Sequence, residues 1–457
     1  MTLRLLWLLG ACLAALASAP ARAAEDPGSI TLADGTIIER WTLANGLRVT
    51  TRHVPGARAA AVTLGFRVGT ANDPPGREGI SLLLSELMFT GPAGDVPARR
   101  LAEMDELRAE GWDLQTATHF TLLAEVATRE QLPGVLSQFA ARLRGVNVDR
   151  VALKQTVASM KAQLAERYFG PPSQSLYQQV RELGLHGDDQ LMVRKAGGKG
   201  FERATVKEIR DRLAKLYVPA NAVLSVAGNL EGVDLRAIVQ SLFGNVPAGS
   251  PIAEMPAPVL SPRARVMKRT DLDKPVGVIA VIAPAVDDSL HPSFYVGTLV
   301  LGGLCKDVWG DPAPLISRFR YSLFGAPELA LFFPPANDTD PDTDGLAVTF
   351  DALVTRLRSS IVNTNVYERL RDGLIWQFGA PLSPKLLERA KTESPALHTL
   401  ATGAAARTLW MGEAFWEDYL RRLELESAGT VEFIAPYIGD PSNQVRLLFT
   451  PGNLPVR

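Results

Sequence analysis

Apolar residues in this chain follow two spacings, and the switching between them predicts an ordered series of strands and helices. Val206, Ile209, Leu213 and Leu216 share one face of a helix over 205–216. Thr205 followed by Glu208 forms a capping-box pattern at its start. Elsewhere, short blocks of β-branched and apolar residues predict strands at Arg48–Val54, Ala61–Val68, Phe120–Val126 and Gly277–Ala283. Leu346–Phe350 reads as a further strand, reached by an acidic turn after Phe333. Phe294–Gly303 is an apolar run, shorter than the about 20 residues a bilayer span needs. Strand pairs followed by helices imply an α+β layer, a largely antiparallel sheet with helices on one side.

The pattern occurs twice. Ala61–Val68 precedes a Pro-containing loop and an apolar helix, and Gly277–Ala283 does the same. Tyr217, Pro219, Asn221 and Gly228-Asn229 are echoed by Tyr437, Pro441, Asn443 and Gly452-Asn453. The two landmarks give offsets of 216 (61 to 277) and 220 (217 to 437), which points to a duplication. Between the halves lies a proline-rich stretch, and prolines cannot sit inside a helix or a central strand. The expected organisation is a leader at 1–23, a first domain at 24–244, a linker at 245–262 and a second domain at 263–457.

Composition changes the picture only at the start of the chain. At 457 residues, 46% hydrophobic and 21% charged, the whole is ordinary for a globular protein. Residues 1–23 differ: Arg4 precedes an apolar run from Leu5 to Ala19, and Ala21-Arg22-Ala23 places small residues at a cleavage site. This is the form of a secretory signal peptide, with export to the periplasm as the expectation. Leu9-Gly-Ala-Cys12 offers a competing lipoprotein reading, although the apolar run continues past Cys12. Loss of Arg4 and Arg22 leaves 46 Lys and Arg against 49 Asp and Glu, a balance that argues against nucleic-acid binding. Without Cys12, Cys305 is the lone cysteine, so no intramolecular disulfide can form.

The chemistry centres on Gly79-Ile-Ser-Leu-Leu-Leu-Ser-Glu-Leu-Met-Phe-Thr-Gly91. Together with Leu43-Ala-Asn-Gly-Leu-Arg-Val49 upstream and Tyr217-Val-Pro-Ala-Asn-Ala-Val-Leu-Ser-Val-Ala-Gly228 downstream, it resembles the insulinase/pitrilysin (M16) metallopeptidase family. That family carries an inverted zincin motif, H-x-x-E-H, whose two His bind zinc beside a basic Glu. Alignment on Phe89-Thr90-Gly91 puts Leu82, Ser85 and Glu86 at those three places. The family's remote Glu ligand, counted back from Pro171, falls on Gln163, with Glu166 as the nearest carboxylate beyond it. Leu82 offers no donor, and neutral Gln163 is a poor zinc ligand.

The resemblance therefore implies two homologous domains with an empty catalytic position. No resident cofactor is expected, with zinc confined to a partner chain. The chain would pair with a zinc-bearing catalytic M16 subunit to form a chamber for peptide substrates; a stand-alone peptide-binding or assembly scaffold is the alternative. Gln115, in Gly111-Trp-Asp-Leu-Gln-Thr-Ala-Thr118, stands where the family places a cleft-lining Asn. Arg318 and Arg320 are the candidates for a substrate-holding Arg, equally readable as a charged helix end, and Leu331 replaces the accompanying Tyr. The histidines at 53, 119, 186, 291 and 398 form no i, i+4 pair, and Ser85 has no His beside it to act as a base. Asn337–Gly345 alternates acids but lacks the Glu that closes an EF-hand loop, so a turn is the better reading.

Overall fold

The computed structural model describes residues 29–452, apart from 32–34, 78, 100–103, 105–110, 118, 170–198, 254–262, 270–271, 311–318, 323–328, 339–340, 360–362, 378–387 and 411. The first half supplies strands β1 (Ser29–Thr31), β2 (Ile37–Thr42), β3 (Arg48–His53), β4 (Ala59–Phe66), β5 (Trp112–Thr116), β6 (Thr121–Thr128) and β7 (Ala222–Gly228). They form one sheet in the order β1-β2-β3-β7-β4-β6-β5. Its helices are α1 (Ile80–Thr90), α2 (Leu132–Arg144), α3 (Arg150–Phe169), α4 (Val206–Leu216) and α5 (Leu235–Phe243). Thr205 caps α4 as its pattern predicts, with its hydroxyl accepting from the Glu208 amide at 3.2 Å.

The second half contributes β8 (Arg263–Arg269), β9 (Val276–Ile282), β10 (Phe319–Ser322), β11 (Leu329–Phe332) and β12 (Gln444–Pro451), in the order β10-β11-β9-β12-β8. Its helices are α6 (His291–Trp309), α7 (Thr343–Ser359), α8 (Thr364–Gln377), α9 (Ser394–Trp410), α10 (Glu413–Leu425) and α11 (Val431–Gly439). The duplication is visible in the hydrogen bonding. Order β3-β7-β4-β6-β5 matches β8-β12-β9-β11-β10, and in each sheet only the first of these pairs is parallel. Asn221 and Asn443 make the same local bond, each side-chain amide donating to a carbonyl at the end of the preceding helix, Leu216 or Tyr437. The first sheet alone carries the extra hairpin β1-β2 among the described residues.

Leu43–Val49 forms the β2–β3 hairpin turn and the start of β3, built on Asn45-Gly46. The Asn45 amide donates to Phe243 and Val246 carbonyls, at 2.8 and 2.9 Å, so the turn is pinned to the end of α5. Leu346–Phe350 lies within helix α7, not a strand. Leu346, Phe350, Leu353 and Leu357 are buried at helical spacing, and Asp342 accepts from the Gly345 amide in the first turn.

A second correction concerns the layers. Helices cover both faces of the first sheet, not one. On the inner face α1, α2, α4 and α5 pack over Val49, Val62, Leu64 and Leu224. The other face is covered by α9, which belongs to the second half. Ala396, Leu397, Leu400 and Ala401 meet Ala57, Ala59, Ala61 and Val126. Farther along, Ala405, Ala406 and Leu409 meet Phe120, Leu122 and Val223. Small residues allow this approach: a Cβ on Gly65 would lie 2.8 Å from Leu409 Cδ1. Two β3 arginines secure the helix, Arg48 donating to the Thr408 carbonyl at 2.6 Å and Arg52 to the Leu400 carbonyl at 3.3 Å.

Candidate functional site

Every residue of α1 is buried, including Leu82, Ser85 and Glu86. The helix enters from Gly79, whose φ of 82° is costly for any residue with a Cβ, and a Cβ there would press on the Phe201 ring at 3.0 Å. Its amino end is satisfied by Asp73 rather than by a residue at the helix boundary. One carboxyl oxygen accepts from the Gly79 amide at 2.7 Å, and the other accepts from the Ser81 amide at 3.0 Å and meets the Ser81 hydroxyl. Burial pushes the Asp73 carboxyl up to about 7, against the opposing effect of these hydrogen bonds. The Ser81 hydroxyl also lies 2.9 Å from the Gly69 carbonyl. It has one proton, so when that proton goes to Gly69 the Asp73–Ser81 bond requires a proton from Asp73.

Cations hold the other end, as the negative pole of a helix favours. Arg99 donates from Nε to the Phe89 carbonyl at 3.0 Å and lies over the Phe89 ring. Arg142 donates to the Gly91 carbonyl at 3.1 Å. Glu125, fully buried on β6, pairs with Arg99 at 2.5 Å. Burial and the nearby Arg99 push the Arg142 guanidinium down to about 9.

The middle of α1 carries the motif positions, and there the chemistry differs from a peptidase. Ser85 at the base position donates to the Leu82 carbonyl and accepts from the Thr116 hydroxyl, each at 2.8 Å. It thus joins α1 to β5, the outer strand of the sheet, and does more than occupy a helix position. Gln115, next to Thr116, is exposed on that strand. Gln163 and Glu166 lie on α3, which packs against α1, but their side chains lie outside the described residues. Of Leu82, Ser85 and Glu86 only Glu86 has a carboxylate, and an open zinc site takes three protein ligands, so these positions do not fit the metal. Among the described residues no three His, Cys, Asp or Glu gather into a metal-binding group.

The remaining sequence candidates are dispersed. Arg320 lies on strand β10 of the other sheet, not at a helix end, and Arg318 lies outside the described residues. His53 accepts from the Leu230 amide, His291 bonds Tyr419 at 2.7 Å, and His398 stands 3.6 Å from Asp113. His119 sits between β5 and β6, and His186 is outside the described residues. Cys305 is buried, with its thiol 3.5 Å from the Leu301 carbonyl. Asp73, Arg99, Glu125 and Arg142 escaped the sequence reading because no local spacing links them to α1. A half-buried acid seven residues before the helix leaves no pattern.

Comparison with known proteins agrees with this geometry. Residues 203–392 match the family described as the Peptidase M16 inactive domain. The coenzyme PQQ synthesis protein F of Pseudomonas aeruginosa is 26% identical over 230 residues, 49% of this chain and 29% of that protein. The chain thus spans about a third of that relative's length. A protease from Helicobacter pylori has the same fold, with a TM-score of 0.71 and 15% identity over 91% of this chain and 99% of its own. The periplasmic protease PqqL from Escherichia coli superposes with a TM-score of 0.66 and 12% identity, over 91% of this chain but 48% of its own. In its matched domain at residues 203–392 the chain is similar to the M16 peptidase family, and its two-sheet fold is that of M16-like peptidases.

Proposed function

We propose that this chain is a non-catalytic M16 subunit, exported to the periplasm, that pairs with a zinc-bearing M16 peptidase chain to enclose a chamber for peptides. One observation carries the reading: the active-site helix keeps its glycines, its end caps and its packing while its motif positions hold Leu82, Ser85 and Glu86. A metal-activated water needs anionic or imidazole ligands around the metal, and the helix offers one carboxylate. The half-length overlap with PqqL supports a second chain supplying the remainder of the enclosure. The leader-like start and the periplasmic location named for PqqL support export. No helix among the described residues is long and apolar enough to cross a membrane.

The test is co-expression with a chain encoded nearby that carries an intact H-x-x-E-H. Size-exclusion chromatography should show a 1:1 complex burying roughly 1,200–2,000 Å². Its peptidase activity should exceed that of the catalytic chain alone, because the second chain helps hold substrate in register. Elemental analysis of this chain alone should find well under one zinc per molecule. Stoichiometric zinc that survives dialysis would overturn the non-catalytic reading. A chain that stays monomeric and leaves cleavage unchanged would instead be a stand-alone peptide-binding or assembly scaffold.

A further inference from the structure

The two sheets share one strand order, but their corresponding edges end differently. In the first, β3 pairs with β7 on one side and antiparallel with β2 on the other, from Ile37↔His53 to Thr42↔Arg48. In the second, β8 occupies the place of β3, parallel to β12 from Val445↔Arg263 to Pro451↔Arg269. No described strand pairs with its outer side. The strand reads Arg-Ala-Arg-Val-Met-Lys-Arg, four cations and no acid in seven residues. Ala264 and Lys268 are exposed, and Arg265, Val266 and Met267 are half-buried.

We propose that this edge takes up an extended, acidic segment of a partner protein as an antiparallel strand, in the position that β2 holds in the first sheet. Strand addition of this kind draws affinity from main-chain hydrogen bonds and selectivity from alternate side chains. Opposite charges placed directly across an antiparallel pair attract, and like charges repel. A second copy of β8 is therefore a poor occupant: antiparallel pairing about Val266 sets Arg263 against Arg269. Cationic edges are a common guard against self-association, and the same charges select an acidic strand. This inference concerns the second sheet and stands apart from the reading of α1.

The test uses the full chain and a fluorescein-labelled peptide alternating Val and Glu, followed by fluorescence anisotropy. Two other peptides accompany it: the same sequence N-methylated at alternate amides, and one with Lys in place of Glu. The acidic peptide should bind and the Lys peptide should not. N-methylation should weaken binding by about tenfold or more, since it removes strand hydrogen bonds and leaves the charge unchanged. Lys268→Glu, at an exposed position where folding is least disturbed, should weaken the acidic peptide by a similar factor. Equal binding of the N-methylated peptide, no effect of Lys268→Glu, or no binding of the acidic peptide to the folded chain would each overturn the proposal.

Discussion

Asp73 provides a sharp physical test because its burial and its proton can be read separately. Its ordinary value is 3.8 and its folded value about 7. Between these values the folded chain holds a proton that the unfolded chain has released, so stability at this site falls as pH rises through the window. The contribution is fully present below about pH 4 and lost above about pH 7. Three units at 1.36 kcal/mol each set the loss at ~4 kcal/mol. Asp73→Asn replaces the protonated acid with a neutral amide: its oxygen can accept from Gly79 and its NH2 can donate to the Ser81 hydroxyl. The Ser81 amide then loses its acceptor, at about 1–3 kcal/mol. Urea unfolding of both proteins from about pH 4 to pH 8 isolates the titration, because other groups cancel in the difference. Wild type should lose ~4 kcal/mol relative to Asp73→Asn across that range. A difference independent of pH would show Asp73 ionised throughout and refute the proton count at Ser81.

Leu400→Ala, at a fully buried α9 position, should cost about 2–5 kcal/mol in denaturant unfolding. Since α9 serves the core of the first sheet but is encoded in the second half, that loss should appear in probes of both halves; loosening confined to the second half would count against the shared core. Asn45→Ala removes the side-chain donor to the Val246 carbonyl, while the Phe243 carbonyl keeps the Val246 amide, and should destabilise by about 1–3 kcal/mol, read by thermal unfolding. Ser85→Ala removes the link to Thr116 and should cost about 1 kcal/mol while speeding amide exchange in β5, which hydrogen-exchange mass spectrometry would detect. Protein recovered from the periplasm should begin at Ala24 by intact mass; a lipid on Cys12 would instead establish the lipoprotein reading.

The sequence alone carried the features that live within one element or recur along the chain. Period and capping placed α4, the two halves announced their duplication through repeated landmarks, and the residue types at 82, 85 and 86 already ruled out a full zinc ligand set. These are local facts: a helix face or a metal donor is decided by what stands a few positions away. The tertiary structure decided what depends on distant neighbours. Leu346–Phe350 has a strand-like composition, yet burial of Leu346, Phe350, Leu353 and Leu357 on one side makes it a helix. Helix α9 reads as part of the second half, but its alanines fit the small residues of the first sheet, and only folding brings Leu409 against Gly65. Likewise Ser85 meets Thr116, and Arg99, Arg142 and Glu125 converge on the end of α1. Their separations in sequence are set by loops rather than by any period, so the packing of the hydrophobic core, not local pattern, put them together.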